Sequence, residues 1–124
     1  MVEEGKVFIL MTSGPHTPER CATPFYMAEL AAVMENQAAI AFQLEGVLLM
    51  KRGVADELVA VSQGKPVIEF IREAHEAGVE FYCCSAAMKA QGMTEADLIP
   101  ECNGAVGGAW ILNAASEADV VLTY

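Results

Sequence analysis

The residues best able to do chemistry are four cysteines, Cys21, Cys83, Cys84 and Cys102, and two histidines, His16 and His75. Cys83 and Cys84 are adjacent in the stretch FYCCSAAMKAQGM, residues 81–93. A zinc centre takes three or four Cys or His ligands, usually with a paired spacing such as C-x2-C. Here the pair is C-C and the other cysteines stand alone, so no metal and no other cofactor is expected. A disulfide between neighbours is also disfavoured. Consecutive Cα atoms lie about 3.8 Å apart, below the ~4.4 Å minimum of a relaxed disulfide. Successive strand residues also point to opposite faces. One cysteine should therefore enter the sheet packing, and the other should occupy the strand-to-helix turn.

Cys84 fits the turn, because Ser85-Ala86-Ala87-Met88-Lys89-Ala90 can form a helix directly after it. A thiolate there gains from the unpaired N–H groups and the positive end of the helix dipole, which lowers its pKa and makes it nucleophilic. Lys89 adds positive potential or faces solvent. Position alone leaves two readings standing, a nucleophile and a small buried hydrophobe. No His, Asp or Asn stands nearby in a triad pattern, so acyl transfer is poorly supported. Thiol attack on sulfur needs no proton shuttle to a leaving amine and suits a lone cysteine better.

These groups must be held by a scaffold, and its elements alternate. Val7–Met11 reads as a strand buried on both faces, followed by a Thr12-Ser13-Gly14-Pro15 loop. Thr17 or Glu19 opens a helix with Pro18 in its first turn, and Met27, Leu30, Ala31 and Met34 mark its buried face. Ala38–Phe42 is the second strand. Val47–Met50 is a helical turn or a strand, and 51–64 is the least legible region. Residues 66–78 form an amphipathic helix, Val79–Cys83 a third strand, Ser85–Ala90 a short helix ended by Gly92, and Thr94–Asp97 a capped turn. Gly104–Val106 reads as a strand fragment, Gly107–Ala115 as a buried small-residue helix, and Asp119–Thr123 as the last strand. The glycines at 104–108 suit close helix packing. The phosphate-binding G-x-G-x-x-G pattern is missing after the first strand, where only Gly14 stands. The expectation is a single α/β domain over residues 1–124, with about five mostly parallel strands and helices on both faces. Reactive groups in such folds gather at the carboxyl ends of strands. Ser13, Gly14, His16 and Gly46 should therefore border the same pocket as Cys84 and the amides of Ser85, Ala86 and Ala87. Tyr82 and Trp110 read as core or interface aromatics.

Seven basic and 17 acidic residues give a net charge of −10, which argues against nucleic acid and anionic membranes as partners. The hydrophobic content of 54% exceeds the needs of one small core and points to oligomerisation. No run reaches the ~20 apolar residues of a membrane span. The start MVEEGK is acidic and unlike a signal peptide, so the expected location is cytoplasmic, with reduced thiols.

The segment from Cys84 to Gly92, CSAAMKAQG, resembles the active-site segment of the DsrE/DsrF-like sulfurtransferases, including TusD-type subunits of the YchN-like fold. The T-S-G-P loop, the F-x-x-x-G-V segment at Phe42–Val47 and the closing ADVVLTY agree with it. The resemblance implies trimers or hexamers and a carrier cysteine, matched by Cys84, that holds sulfur as a persulfide or related adduct. It also implies exchange with a small TusA-type carrier, in sulfur oxidation or in tRNA thiolation. Cys83 departs from the family pattern, as an auxiliary thiol or as a bystander packed in the strand. Two other readings stay open: a non-catalytic assembly subunit, and a thiol redox sensor using Cys83 and Cys84.

Overall fold

The computed structural model describes residues 5–124, and the acidic start at 1–4 lies outside the described residues. Five strands, β1 (Lys6–Met11), β2 (Gln37–Phe42), β3 (Glu80–Cys84), β4 (Ala105–Val106) and β5 (Val120–Thr123), form one sheet in the order β4-β3-β2-β1-β5. Every pairing is parallel, which is why the strands read as near-continuous apolar runs. The helices are α1 (Thr23–Val33), α2 (Val54–Glu57), α3 (Val67–Glu76), α4 (Ser85–Ala90) and α5 (Gly108–Glu117).

Strand order and handedness together fix the layers. From β1 to β4 each step moves towards the same edge, and right-handed crossovers then put their helices on one face. The step from β4 back to β5 reverses direction, so α5 lies on the other face. The first face holds the main core, in which Phe25, Phe42 and Phe81 meet with ring centroids 5.9–6.1 Å apart. The second face is thinner. Phe8, Ala41 and Ile111 are its buried centre, flanked by Ala39, Cys84, Val106, Ala114, Ala115 and Ala118.

Several elements differ from the sequence reading for clear reasons. Residues 18–20 form a separate 3-10 turn and α1 starts only at Thr23. A single helix from Thr17 would put Pro24 in its interior, whereas here Pro24 lies in the first turn, where its missing N–H costs nothing. The buried face of α1 is Pro24, Phe25, Ala28 and Ala31; Leu30 and Met34 are exposed and Met27 is half-buried. Apart from Glu29 the helix is apolar on most sides, so periodicity could not choose its face. In α5 only Ile111 is buried, because the helix covers its face of the sheet alone. A Cβ on Gly107 or Gly108 would meet nothing within 4 Å, so these glycines do not serve close packing.

The amphipathic α3 buries Val67, Ile68, Ile71 and Ala74 as its periodicity requires. Residues 44–50 are a 3-10 helix, and Thr94 and Asp97 cap each other reciprocally. The illegible region 51–64 contains α2 and is tied down at two points: the Arg52 N–H donates to the distant Asp97 carbonyl at 2.8 Å, and the Val67 N–H at the start of α3 to Leu58 O at 2.7 Å.

Candidate functional site

Alternation along β3 separates the two adjacent thiols. Phe81 and Cys83 point into the main core, where Cys83 is 0% exposed. Glu80, Tyr82 and Cys84 take the opposite face, and Cys84 is half-buried against the cluster around Phe8 and Ala41. The strand runs into α4 with no loop between, so Cys84 is at once the last strand residue and the residue before the first helical turn (φ −64°, ψ 120°). Amides in a first helical turn have no carbonyl ahead of them in the helix. Ser85 and Ala86 are exposed, Ala87 packs against the main core and Lys89 is exposed.

The loops after β1 and β2 lie at the same carboxyl edge, and they interlock. A Cβ on Gly14 would lie 2.5 Å from the Glu45 carbonyl oxygen, and one on Gly46 would lie 2.5 Å from the Met11 carbonyl oxygen. Both positions therefore need glycine for backbone-to-backbone approach. Ser13 is buried within this contact, while the His16 side chain is exposed and pairs with Glu45. The buried Cys21 thiol donates to the carbonyls of Gly14 (3.3 Å) and Thr17 (3.5 Å), closing the first loop on itself. Burial, then the nearby Glu45 and Glu19 carboxylates, push this thiol up to about 11, so it stays protonated at neutral pH. Thr12 donates from both its N–H and its hydroxyl to the Tyr124 carbonyl, fastening β1 to the end of β5.

Ser13, Gly14, His16 and Gly46 thus lie in the two interlocked loops, and β3 pairs β2 in a register that sets Cys83 beside Phe42. Among the described residues no hydrogen bond joins Cys84 to any of the four; His16 pairs with Glu45, the Gly14 carbonyl accepts from Thr17 and Cys21, and Gly46 N–H donates to Gln43 O. Cys84 lines neither of two cavities that open on the surface of the described residues. One, of about 340 Å3, lies at the carboxyl edge and is lined by Leu10, Thr12, Arg20, Gln43, Thr123 and Tyr124. The other, of about 240 Å3, lies beside α5 and includes Lys6, Glu80, Tyr82, Trp110 and Glu117. Trp110 contacts Tyr82 with ring centroids 4.4 Å apart and is 40% exposed, so this aromatic pair is a surface feature and not core.

Three participants escape the sequence reading. Glu45 holds His16, Cys21 anchors the Gly14 loop, and the Cys102 sulfur lies 4.0 Å from that of Cys83. None has a local sequence signal: Cys21 meets Gly14 through a folded loop seven positions long, and the other two relations span 19 and 29 positions and depend on how the strands pair. His75 is exposed and stacks on Phe81. Among the described residues no group of three or more His, Cys, Asp or Glu side chains is placed to hold a metal ion. No described helix is long and apolar enough to cross a membrane.

The sequence pattern of the DsrE/DsrF-like family matches residues 5–124. No curated protein matches the chain. Among solved structures it is similar to the YchN protein from E. coli, with 16% identity, coverage of 97% of this chain and 99% of that one, and a TM-score of 0.80. It is also similar to MTH1491 from Methanobacterium thermoautotrophicum, described as a protein of unknown function, with 19% identity, coverage of 96% and 97%, and a TM-score of 0.68. These likenesses concern the fold.

Proposed function

The chain belongs to the DsrE/DsrF-like family, a family generally tied to sulfur relay, and from that premise we propose that it is a sulfurtransferase or sulfur carrier acting through Cys84. One observation carries the choice of residue: of the two adjacent thiols, Cys84 alone is partly open, at the carboxyl end of β3, while Cys83 is sealed in the core. The Cys84 thiolate attacks the outer sulfur of a donor persulfide or polysulfide. A new S–S bond forms on Cys84, the donor S–S bond breaks, and the donor leaves as a thiolate. Delivery reverses the step, with an acceptor thiolate taking the outer sulfur and Cys84 leaving. No net oxidation occurs. First-turn amides of Ser85, Ala86 and Ala87 are the groups nearest in sequence to steady the negative sulfur.

The acceptor we propose is a small TusA-type carrier protein, in a cytoplasmic pathway of sulfur oxidation or thiolation. The acidic surface of a chain with net charge −10 suits a basic docking face. We also propose a homotrimer or hexamer. Its support is the outward face of α1, where Tyr26, Leu30, Val33 and Met34 are all exposed. A second reading, an assembly subunit without catalysis, is favoured by the packing of Cys84 against Phe8 and Ala41 and its absence from both cavities.

Intact mass after incubation with polysulfide, thiosulfate or tetrathionate separates the two. The carrier gains sulfur in the wild type and in Cys83→Ser, and not in Cys84→Ser. A wild-type chain that gains nothing from any donor leaves the assembly reading.

A further inference from the structure

Cys83 has a thiol partner, and it is not its neighbour in sequence. The Cys102 sulfur lies 4.0 Å from that of Cys83 and 3.6 Å from the Phe81 carbonyl oxygen. The backbone holds the two sulfurs together. Asn103 N–H donates to Phe81 O at 2.7 Å, Cys83 N–H to Gly104 O at 3.0 Å, and Phe81 N–H to the Asn103 side-chain oxygen at 3.0 Å. These bonds fasten Asn103 and Gly104, the two residues after Cys102, to β3 at Phe81 and Cys83. Cys102 is half-buried and reachable, whereas Cys83 is sealed.

We propose that Cys83 and Cys102 form a second thiol site, which a small hydroperoxide-class oxidant converts into a disulfide. No other thiol competes for this role. Cys84 points to the opposite face of the sheet, and the Cys21 thiol is engaged with the carbonyls of Gly14 and Thr17. The Cys102 thiolate attacks one peroxide oxygen; an S–O bond forms, the O–O bond breaks, and hydroxide or alkoxide leaves and takes up a proton. The sulfur of Cys102, now a sulfenic acid, has lost two electrons to the peroxide. Cys83 then attacks that sulfur; the S–S bond forms, the S–O bond breaks, and the hydroxide leaves as water with the Cys83 proton. With hydrogen peroxide the sum is two thiols and one peroxide giving one disulfide and two waters. Bonding needs the sulfurs to close to about 2.05 Å, a side-chain movement at Cys102 in its loop.

The order of reaction follows from the surroundings. The hydrogen bond with Cys83 favours the Cys102 thiolate against the opposing effect of burial, and the same bond, with burial, holds Cys83 protonated until attack. The closed ring encloses residues 84–101, which include Cys84 and all of α4. Oxidation would therefore staple the segment that bears the half-buried Cys84 thiol, and a covalent ring of this kind stabilises the fold by restricting the unfolded chain. The site does not depend on Cys84 carrying sulfur.

The test is hydrogen peroxide treatment of the folded full chain, followed by unfolding, alkylation of free thiols and non-reducing peptide mapping. The expected result is loss of two of the four thiols to alkylation, with Cys83 linked to Cys102, the linkage retained in Cys84→Ser and absent from Cys102→Ser. The oxidised wild type should melt at a higher temperature than the reduced protein, and a reductant should reverse the shift. Cys102→Ser, at a half-buried loop position, keeps the test valid where Cys83→Ser does not fold. A link that joins Cys84 or Cys21, a link that survives in Cys102→Ser, or Cys83 and Cys102 both still alkylatable at peroxide levels that already oxidise Cys84 would each overturn the proposal.

Discussion

Replacing Gly46 with alanine should unfasten the edge of the sheet on which Cys84 lies. The backbone of Gly46 is not left-handed, so alanine adopts its conformation without strain and the effect isolates one contact. The added Cβ would lie 2.5 Å from the Met11 carbonyl oxygen and 3.2 Å from that of Ser13. Ordinary carbon–oxygen contacts run near 3.4 Å or more, so the first clash is close to an ångström deep and falls on backbone that cannot rotate aside. Overpacking of this kind costs about 1–3 kcal/mol. For 124 residues at about 2.1 cal/mol/K each, a loss of ~2 kcal/mol lowers the melting temperature by roughly 8 °C. The control is Gly108→Ala, where the new Cβ meets nothing within 4 Å inside a helix. That change should be neutral or stabilise by about 0.4–1 kcal/mol. Thermal and urea unfolding followed by circular dichroism would read both. A Gly46→Ala protein as stable as the wild type, or a Gly108→Ala protein equally weakened, would refute the interlocking-loop argument.

The same contacts carry further expectations. Phe81→Ala removes a fully buried ring from the Phe25–Phe42–Phe81 cluster and should cost about 3–5 kcal/mol by urea denaturation. Cys83→Ser buries a hydroxyl in the core and should cost about 1–3 kcal/mol; Cys84→Ser, at a half-buried position, should cost less. Cys21 is a thiol whose folded pKa is raised from 9.0 to about 11, so its contribution is complete below pH 9 and is lost as pH rises through 11. The urea midpoint should therefore fall across that window, and less steeply in Cys21→Ala. Val33→Lys together with Leu30→Glu on the outer face of α1 should lower the mass measured by light scattering, while the far-ultraviolet dichroism stays unchanged.

Much of the scaffold was legible because parallel strands buried on both faces are apolar throughout, and α3 carries a clean two-sided pattern. The placement of Cys84 was legible for the same kind of reason. Strand alternation and a helix-forming run after it admit few arrangements, and β3 and α4 meet at that residue. What stayed hidden depends on distant parts of the chain. The face of α1 was chosen by how Phe25 fits against Phe42 and Phe81, and not by its own nearly uniform apolarity. The exposure of α5 follows from the reversal of strand order, which leaves it alone on its side of the sheet. Gly14 and Gly46 read as ordinary loop glycines until their loops meet. Cys102 reads as an isolated thiol until β4 pairs with β3 and brings its segment back against Phe81 and Cys83.

The central claim is that Cys84, and not its neighbour, carries the sulfur. Trypsin should release both residues on one peptide, 73–89, between Arg72 and Lys89. Fragmentation of that peptide, from protein loaded with polysulfide and alkylated before digestion, locates the added sulfur to one side chain. The account predicts it on Cys84, with Cys83, Cys21 and Cys102 unloaded. Sulfur found on Cys83, or on either of the distant thiols with Cys84 bare, would contradict it.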